Sequence, residues 1–377
     1  MSIQFYTGAQ VDPIDVRDRI FQAPVGGTNL DWEKGFDIRE VLGGGIEIKN
    51  QGSSLSCVGQ AWSYYVWVLQ VLEMCRKYQK NLTQIRNMTT LGIETLSAKA
   101  FYSQIALANG GAYLRDGGLL AVKWGAVRED LVPSYVEGNP PTEAFMRDNR
   151  WLNESLNTTA KILRAKESQV IQGWDINLMA TAIQNNFGVI GGVVGSNNQS
   201  WLTLEPQPPR PEDNSLWLHC IFYGAFGQDQ KGKFIATPNS WGDIGKHDWK
   251  PGDPPGKGWQ KLYENYFVQG LQINPWTLTD KPNEENLKPK FGYEFKVNLQ
   301  YGMNHSDVKQ LQKLLLVEGF FPKEMSPTGF YGNITARAVM KLQSKYSIMR
   351  SKEINELEGK HFGPKSIAKI NSLYPVL

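Results

Sequence analysis

Between Cys57 and Tyr78 apolar residues recur at Val58, Ala61, Trp62, Tyr65, Leu69 and Leu72, the spacing of a helix face, with Ser56 placed to cap the N-terminus. A helix of that length organises a core around itself, and this one begins on a cysteine. Further helices are expected over Leu96 to Ala108, Leu119 to Trp124 and Leu178 to Asn186. The pattern then changes. The runs "GVIGGVVG", "LWLHCIFYGAFG", "KFIATPNSWG" and "GWQKLYENYFV" are short and β-rich, separated by loops such as "EPQPPRPED" and "KPGDPPGKG". Helices first and an antiparallel sheet second predict an α+β fold of two halves with a cleft between them.

From Asn274 to Glu294 the sequence turns polar, proline-bearing and aperiodic, which predicts a linker over 274–296 between a first domain, 1–273, and a second, 297–377. In the second, "DVKQLQKLLLVEGFF" carries Val308, Leu311, Leu314 and Leu315 at helical spacing and stops at Gly319. The segments "GFYGNITARAVMKLQ" and "KHFGPKSIAKINSL" resemble each other, each running aromatic, glycine, turn residue and short amphipathic helix. Three short helices on one small core are expected, an all-α domain.

Charge and cysteine usage exclude several classes. A net charge of +3 with scattered lysine and arginine gives no basic stripe for nucleic acid. The N-terminal stretch lacks the basic-then-apolar order of a signal peptide, and no apolar run is long enough for a membrane span. Cys57, Cys75 and Cys220 have neither the spacing of a disulfide framework nor that of a metal site, and no cofactor is implied. On one helix, Cys57 and Cys75 would lie about 27 Å apart, too far to bond.

The chemistry-bearing residues surround "KNQGSSLSCVGQAW", Lys49 to Trp62. A helix N-terminus and a neighbouring imidazolium both favour a thiolate. Of the four histidines, His305 and His361 fall in the second domain and His247 in a glycine- and proline-rich loop, whereas His219 sits on an apolar strand. Twenty residues later, in "PNSWG", the Asn239 side-chain carbonyl can accept the imidazole N–H and fix its tautomer, and Trp241 can screen that bond from water. The Gln51 amide and the Cys57 backbone N–H would supply two donors to an oxyanion.

This order of residues resembles the papain family of cysteine peptidases over roughly Asp12 to Leu271, through Asn50-Gln51-Gly52 and Ser56-Cys57, His219, and Asn239 in "NSWG". The runs "LSAKAFYSQ" and "GVIGGVVG" are similar to the family's second helix and inner strand. The resemblance implies a papain-like two-lobed fold and acyl transfer by Cys57, His219, Asn239 and Gln51, with the backbone of Gly110 and Gly111 in "NGGAYLRDGG" pairing with an extended peptide substrate. Val58 stands where the family usually has tryptophan, Leu218 precedes the histidine, the framework cysteines are absent, and His219 and Asn239 follow Cys57 by 162 and 182 residues, implying loop insertions. These departures, with "PIDVRDRIF", look more like the family's bacterial branch. About fifty residues precede Cys57, too few for the family's helical inhibitory propeptide.

The second domain resembles the peptidoglycan-binding three-helix module of bacterial wall enzymes, so peptidoglycan is an expected partner of 297–377. The expected function is a cysteine endopeptidase acting on protein or peptide substrates and directed to the cell wall, which would place it at the wall or outside the cell. The alternatives are a hydrolase of the wall's own peptides and an inactive papain-like binding protein.

Overall fold

The computed structural model describes residues 7–23, 30–86, 95–135, 139–173, 175–242, 259–268, 270–279, 293–322, 325–346, 348–349 and 351–374. His247 and the loop "KPGDPPGKG" lie outside them. The chain divides into two compact units, Met1–Lys281 and Pro282–Leu377.

The first unit is built on α1 (Cys57–Tyr78), which has the expected bounds. Every residue from Cys57 to Leu69 is buried, so its first half is enclosed on all sides rather than along one stripe. The enclosure comes from α2 (Ala98–Ile105) and α3 (Leu114–Lys123) on one side and a sheet on the other. That sheet has the order β4–β10–β5–β6, from β4 (Glu167–Val170), β5 (Val189–Ser196), β6 (Leu216–Tyr223) and β10 (Gln272–Thr279). Its pairs are antiparallel, and β5 and β6 match along their full length, with Val193 opposite His219. Tyr64 stacks on Phe222 at 6.1 Å, and the Tyr65 hydroxyl is within 2.8 Å of Thr277 Oγ1, so α1 meets β6 and β10 directly.

A second sheet, β2–β7–β8–β9, contains β2 (Phe36–Asp37), β7 (Ala225–Asp229), β8 (Gly232–Thr237) and β9 (Gln260–Tyr263). "GWQKLYENYFV" is strand only as far as Tyr263; Glu264–Val268 is helical and buries Tyr266 and Phe267. The architecture is α+β.

One boundary moves. Residues 274–279, expected as linker, belong to β10, which lies between β4 and β5 and buries Trp276 and Leu278. Pro275 made this stretch look like loop. It has no N–H for a ladder, and the register of β10 on β5 shifts between Ile273 and Trp276, a bulge that accommodates it. At the other end, Phe295, also expected as linker, is buried in the second unit's core.

The second unit contains, among the described residues, α5 (Ser306–Val317), α6 (Asn333–Lys345), α7 (Ser351–Leu357) and α8 (Pro364–Leu373), so a short fourth helix joins the three expected. Leu311, Leu314, Leu315, Val339, Leu342, Phe362 and Ile370 form its core. The internal repeat extends to hydrogen bonding. Gln312 Nε2 donates to Phe330 O and Thr335 Oγ1 at 2.9 and 3.0 Å, and Gln343 Nε2 donates to His361 O and Ser366 Oγ at 2.7 and 3.0 Å. Among the described residues no helix is long and apolar enough to cross a membrane.

A chain ended after Lys281 should melt in one cooperative transition, because it keeps its sheet intact. Ending it after Ile273 removes most of an interior strand with a buried tryptophan and leucine, side chains whose loss costs about 2–5 kcal/mol each. That shorter chain should show no cooperative melting by circular dichroism; equal melting of the two would place β10 outside the folding unit.

Candidate active site

Cys57 is the first residue of α1. Ser56 occupies the cap position but makes no side-chain cap bond; its hydroxyl lies 2.7 Å from that of Ser54. The first helical N–H groups are therefore not spent on a cap. Backbone N–H groups of Cys220, Gly8, Val58 and Ala9 pull the Cys57 thiol pKa down, but full burial outweighs them and pushes it up to about 11 from an ordinary 9.0. Burial therefore keeps the thiol protonated at neutral pH.

His219 is carried by β6, one residue from Cys220, so the strand delivers it beside the N-terminus of α1. Its Nε2 lies 2.8 Å from Asn239 Oδ1. Because an amide oxygen only accepts, this bond places the proton on Nε2 and makes Nδ1 the accepting nitrogen of the ring. The ring stacks on Trp241 with centroids 4.3 Å apart, while Trp201 and Trp217 meet it edge-on, excluding water from the histidine–asparagine bond. Asn239 is fixed from several sides. It has a left-handed backbone (φ +55), its Nδ2 donates to Gln260 Oε1 at 2.8 Å, and its N–H donates to Thr237 Oγ1 at 3.0 Å.

Gln51 is fully buried and ties the cysteine loop to the asparagine loop. Its N–H donates to Ser240 O at 2.8 Å, its Oε1 accepts from Ser240 Oγ at 2.7 Å, and its Nε2 donates to Ser54 O at 3.0 Å. An amide has two N–H bonds, so the bond to Ser54 occupies one. Asn50 and Trp241 form an antiparallel bridge alongside. The expected residues Gln51, Cys57, His219, Asn239 and Trp241 thus gather around one helix end. Ser240 and Gln260, which orient them, were not singled out; both lie within or beside the β-rich runs that were.

The glycine loop is also present, and something already lies on it. Gly110 and Gly111 have φ of +88 and +73, and β3 (Ala112–Tyr113) follows them. The chain's own N-terminal strand, β1 (Ala9–Gln10), pairs parallel with β3, and Gly8 O accepts from Ala112 N at 2.8 Å. This strand helps to bury Cys57, and sequence reasoning missed it. Fit at the crossing is tight: a Cβ on Gly8 would fall 2.0 Å from Leu55 O, and one on Gly111 would fall 2.3 Å from Gly8 O. Asp12 anchors the following turn, accepting from Arg115 N at 3.0 Å and Trp276 Nε1 at 2.7 Å, and Asp18 pairs with the Arg115 guanidinium at 2.7 Å.

Gly8→Val should therefore expel β1 while leaving the rest of the fold in place. Alkylation of Cys57 by iodoacetamide at pH 7, followed by peptide mapping so that half-exposed Cys75 is counted separately, should accelerate by about tenfold or more as the thiol gains access and ionises. An unchanged rate would mean that β1 does not control the thiol.

Over 73% of this chain and 96% of the other, the fold is similar to xylellain, a cysteine protease from Xylella fastidiosa, at 16% identity and a TM-score of 0.54. It is similar also to procathepsin B S9 from Trypanosoma congolense, with 73% and 87% covered, 11% identity and a TM-score of 0.50. No curated protein sequence matches the chain. Residues 304–349 match the family described as "Putative peptidoglycan binding domain". The first unit thus has a papain-like fold, followed by a unit that carries this match.

Proposed function

We propose that the chain is a cysteine endopeptidase whose nucleophile is Cys57, and that residues 282–377 direct it to bacterial wall peptidoglycan. The observation that carries the reading is the 2.8 Å bond from His219 to Asn239, screened by Trp241 and held on the strand whose next residue reaches the Cys57 sulfur. Buried histidine–asparagine bonds also occur in cores, but here the histidine precedes on its strand the residue whose N–H reaches a cysteine at a helix N-terminus without a side-chain cap.

In this reading Nδ1 of His219 takes the thiol proton, and the sulfur attacks the peptide carbonyl. The carbonyl π electrons move onto oxygen, giving an oxyanion stabilised by the Gln51 amide and the Cys57 N–H. As the oxyanion collapses, the C–N bond breaks and the imidazolium protonates the leaving amine. Water, deprotonated by His219, then attacks the thioester, and the sulfur leaves as thiolate. Substrate reaches the sulfur only after β1 has left, since Gly8 and Ala9 lie against it.

A second reading, a binding protein without turnover, is favoured by the buried thiol and its raised pKa. Digestion of a peptide library by full-length Gly8→Val separates the two: cleavage that Cys57→Ala abolishes supports the peptidase, and no cleavage despite a reactive, exposed Cys57 supports the binding protein. Purified sacculi as a parallel substrate test whether wall peptides themselves are cut.

Within the peptidase reading, Gln51→Ala should lower kcat about a hundredfold with a smaller change in KM, since an oxyanion donor acts in the transition state. Loss of affinity with turnover kept would make Gln51 a substrate contact instead. The segment 282–377 should co-sediment with sacculi, and a chain ended after Lys281 should stay in the supernatant. The reverse partition would remove the wall-directing role.

A further inference from the structure

Glu143 begins the short helix α4 (Glu143–Arg147), whose N-terminus is capped by the Thr142 side chain. Its two carboxylate oxygens serve two different loops. Oε2 accepts from the N–H of Leu55 at 2.7 Å, and Oε1 accepts from the hydroxyl of Tyr102 at 2.7 Å. The Tyr102 oxygen in turn accepts from the N–H of Gly111 at 2.9 Å. A hydroxyl has one proton, so by drawing it Glu143 turns a lone pair toward Gly111. Tyr102 is buried on α2, so its bond with the Gly111 N–H is shielded from water.

The two ends of this relay are the parts of the cleft that must stay in register. Leu55 lies two residues ahead of Cys57 in the loop from Gln51, with its carbonyl against Gly8 and its side chain beneath Gly110, where a Cβ would fall 2.5 Å from Leu55 Cδ1. Gly111 belongs to the adjoining glycine segment, which continues into β3. A carboxylate suits this place because it accepts in two directions; an amide has one accepting oxygen and would present N–H to one of the two donors.

We propose that Glu143, acting through Tyr102, is a positioning residue that sets the distance between the loop bearing the nucleophile and the glycine edge on which an extended peptide lies. The inference rests on the peptidase reading, and Glu143 itself touches neither the sulfur nor the reacting carbonyl.

The test uses the full-length Gly8→Val chain, into which Glu143→Gln, Tyr102→Phe and both together are introduced. For a peptide long enough to lie along the glycine edge, kcat/KM should fall about tenfold or more in each single variant, mainly through KM. For a minimal ester that does not reach the edge the fall should be smaller. Because both residues act in one relay, the double variant should be little worse than Glu143→Gln alone. Amide hydrogen exchange at Leu55 and Gly111 is read in parallel and does not depend on turnover. Both amides should exchange faster in Glu143→Gln, and Gly111 alone in Tyr102→Phe. Folded variants with unaltered exchange, or with equal losses on long and short substrates, overturn the proposal. Absence of peptide cleavage in the parent chain overturns the peptidase reading instead, and the exchange data still decide the relay. Should Glu143→Gln fail to fold, Tyr102→Phe, which removes a single oxygen, carries the same test.

Discussion

The packing of β6 against the first turns of α1 is the contact on which the rest of the first unit depends. Phe222 stacks on Tyr64 and meets Tyr65, and the Tyr64 hydroxyl donates to Asn239 O at 3.2 Å. That one layer of aromatic rings fixes the helix end relative to the strand, and through it Cys57 relative to His219. Gln51 and Ser240 then close the seam from the other side. A cavity here would do more than cost stability, since a displacement of about 1 Å at a reacting group can cost a hundredfold in rate.

Burial and reactivity oppose each other at Cys57. The helix N-terminus and the surrounding backbone N–H groups favour the thiolate, yet with β1 in place burial dominates and the thiol pKa is about 11. Only glycine fits at residue 8, where any side chain would meet the Leu55 carbonyl. The same strand that covers the sulfur pairs with β3 beside the glycine loop, so under the proposed function covering and substrate binding exclude each other.

Much of the site was legible because its signals are local. A helical apolar period starting at Cys57, a β-rich run holding His219, and a turn-forming asparagine before Ser-Trp-Gly each declare themselves within a dozen residues. What was hidden depends on partners distant in sequence. Ala9–Gln10 is too short to show a period and pairs with residues about a hundred positions on. Glu143 reads as an ordinary first-turn acid behind a threonine cap until Leu55 and Tyr102 are seen around it. Trp276 and Leu278 alternate as a strand should, but Pro275 masked them, because a proline tolerated at a bulge looks from sequence like one that ends a strand.

The most direct measurement of the central claim, that this constellation performs acyl transfer through Cys57, is the intact mass of full-length Gly8→Val chain quenched with acid within milliseconds of mixing with a peptide ester. The account predicts one acyl group per chain, mapped to Cys57, that forms and decays at the rate of turnover and fails to form when His219→Ala removes the base that takes the thiol proton. Turnover with no acyl group on Cys57, or with the group on Cys75 or Cys220, would contradict it.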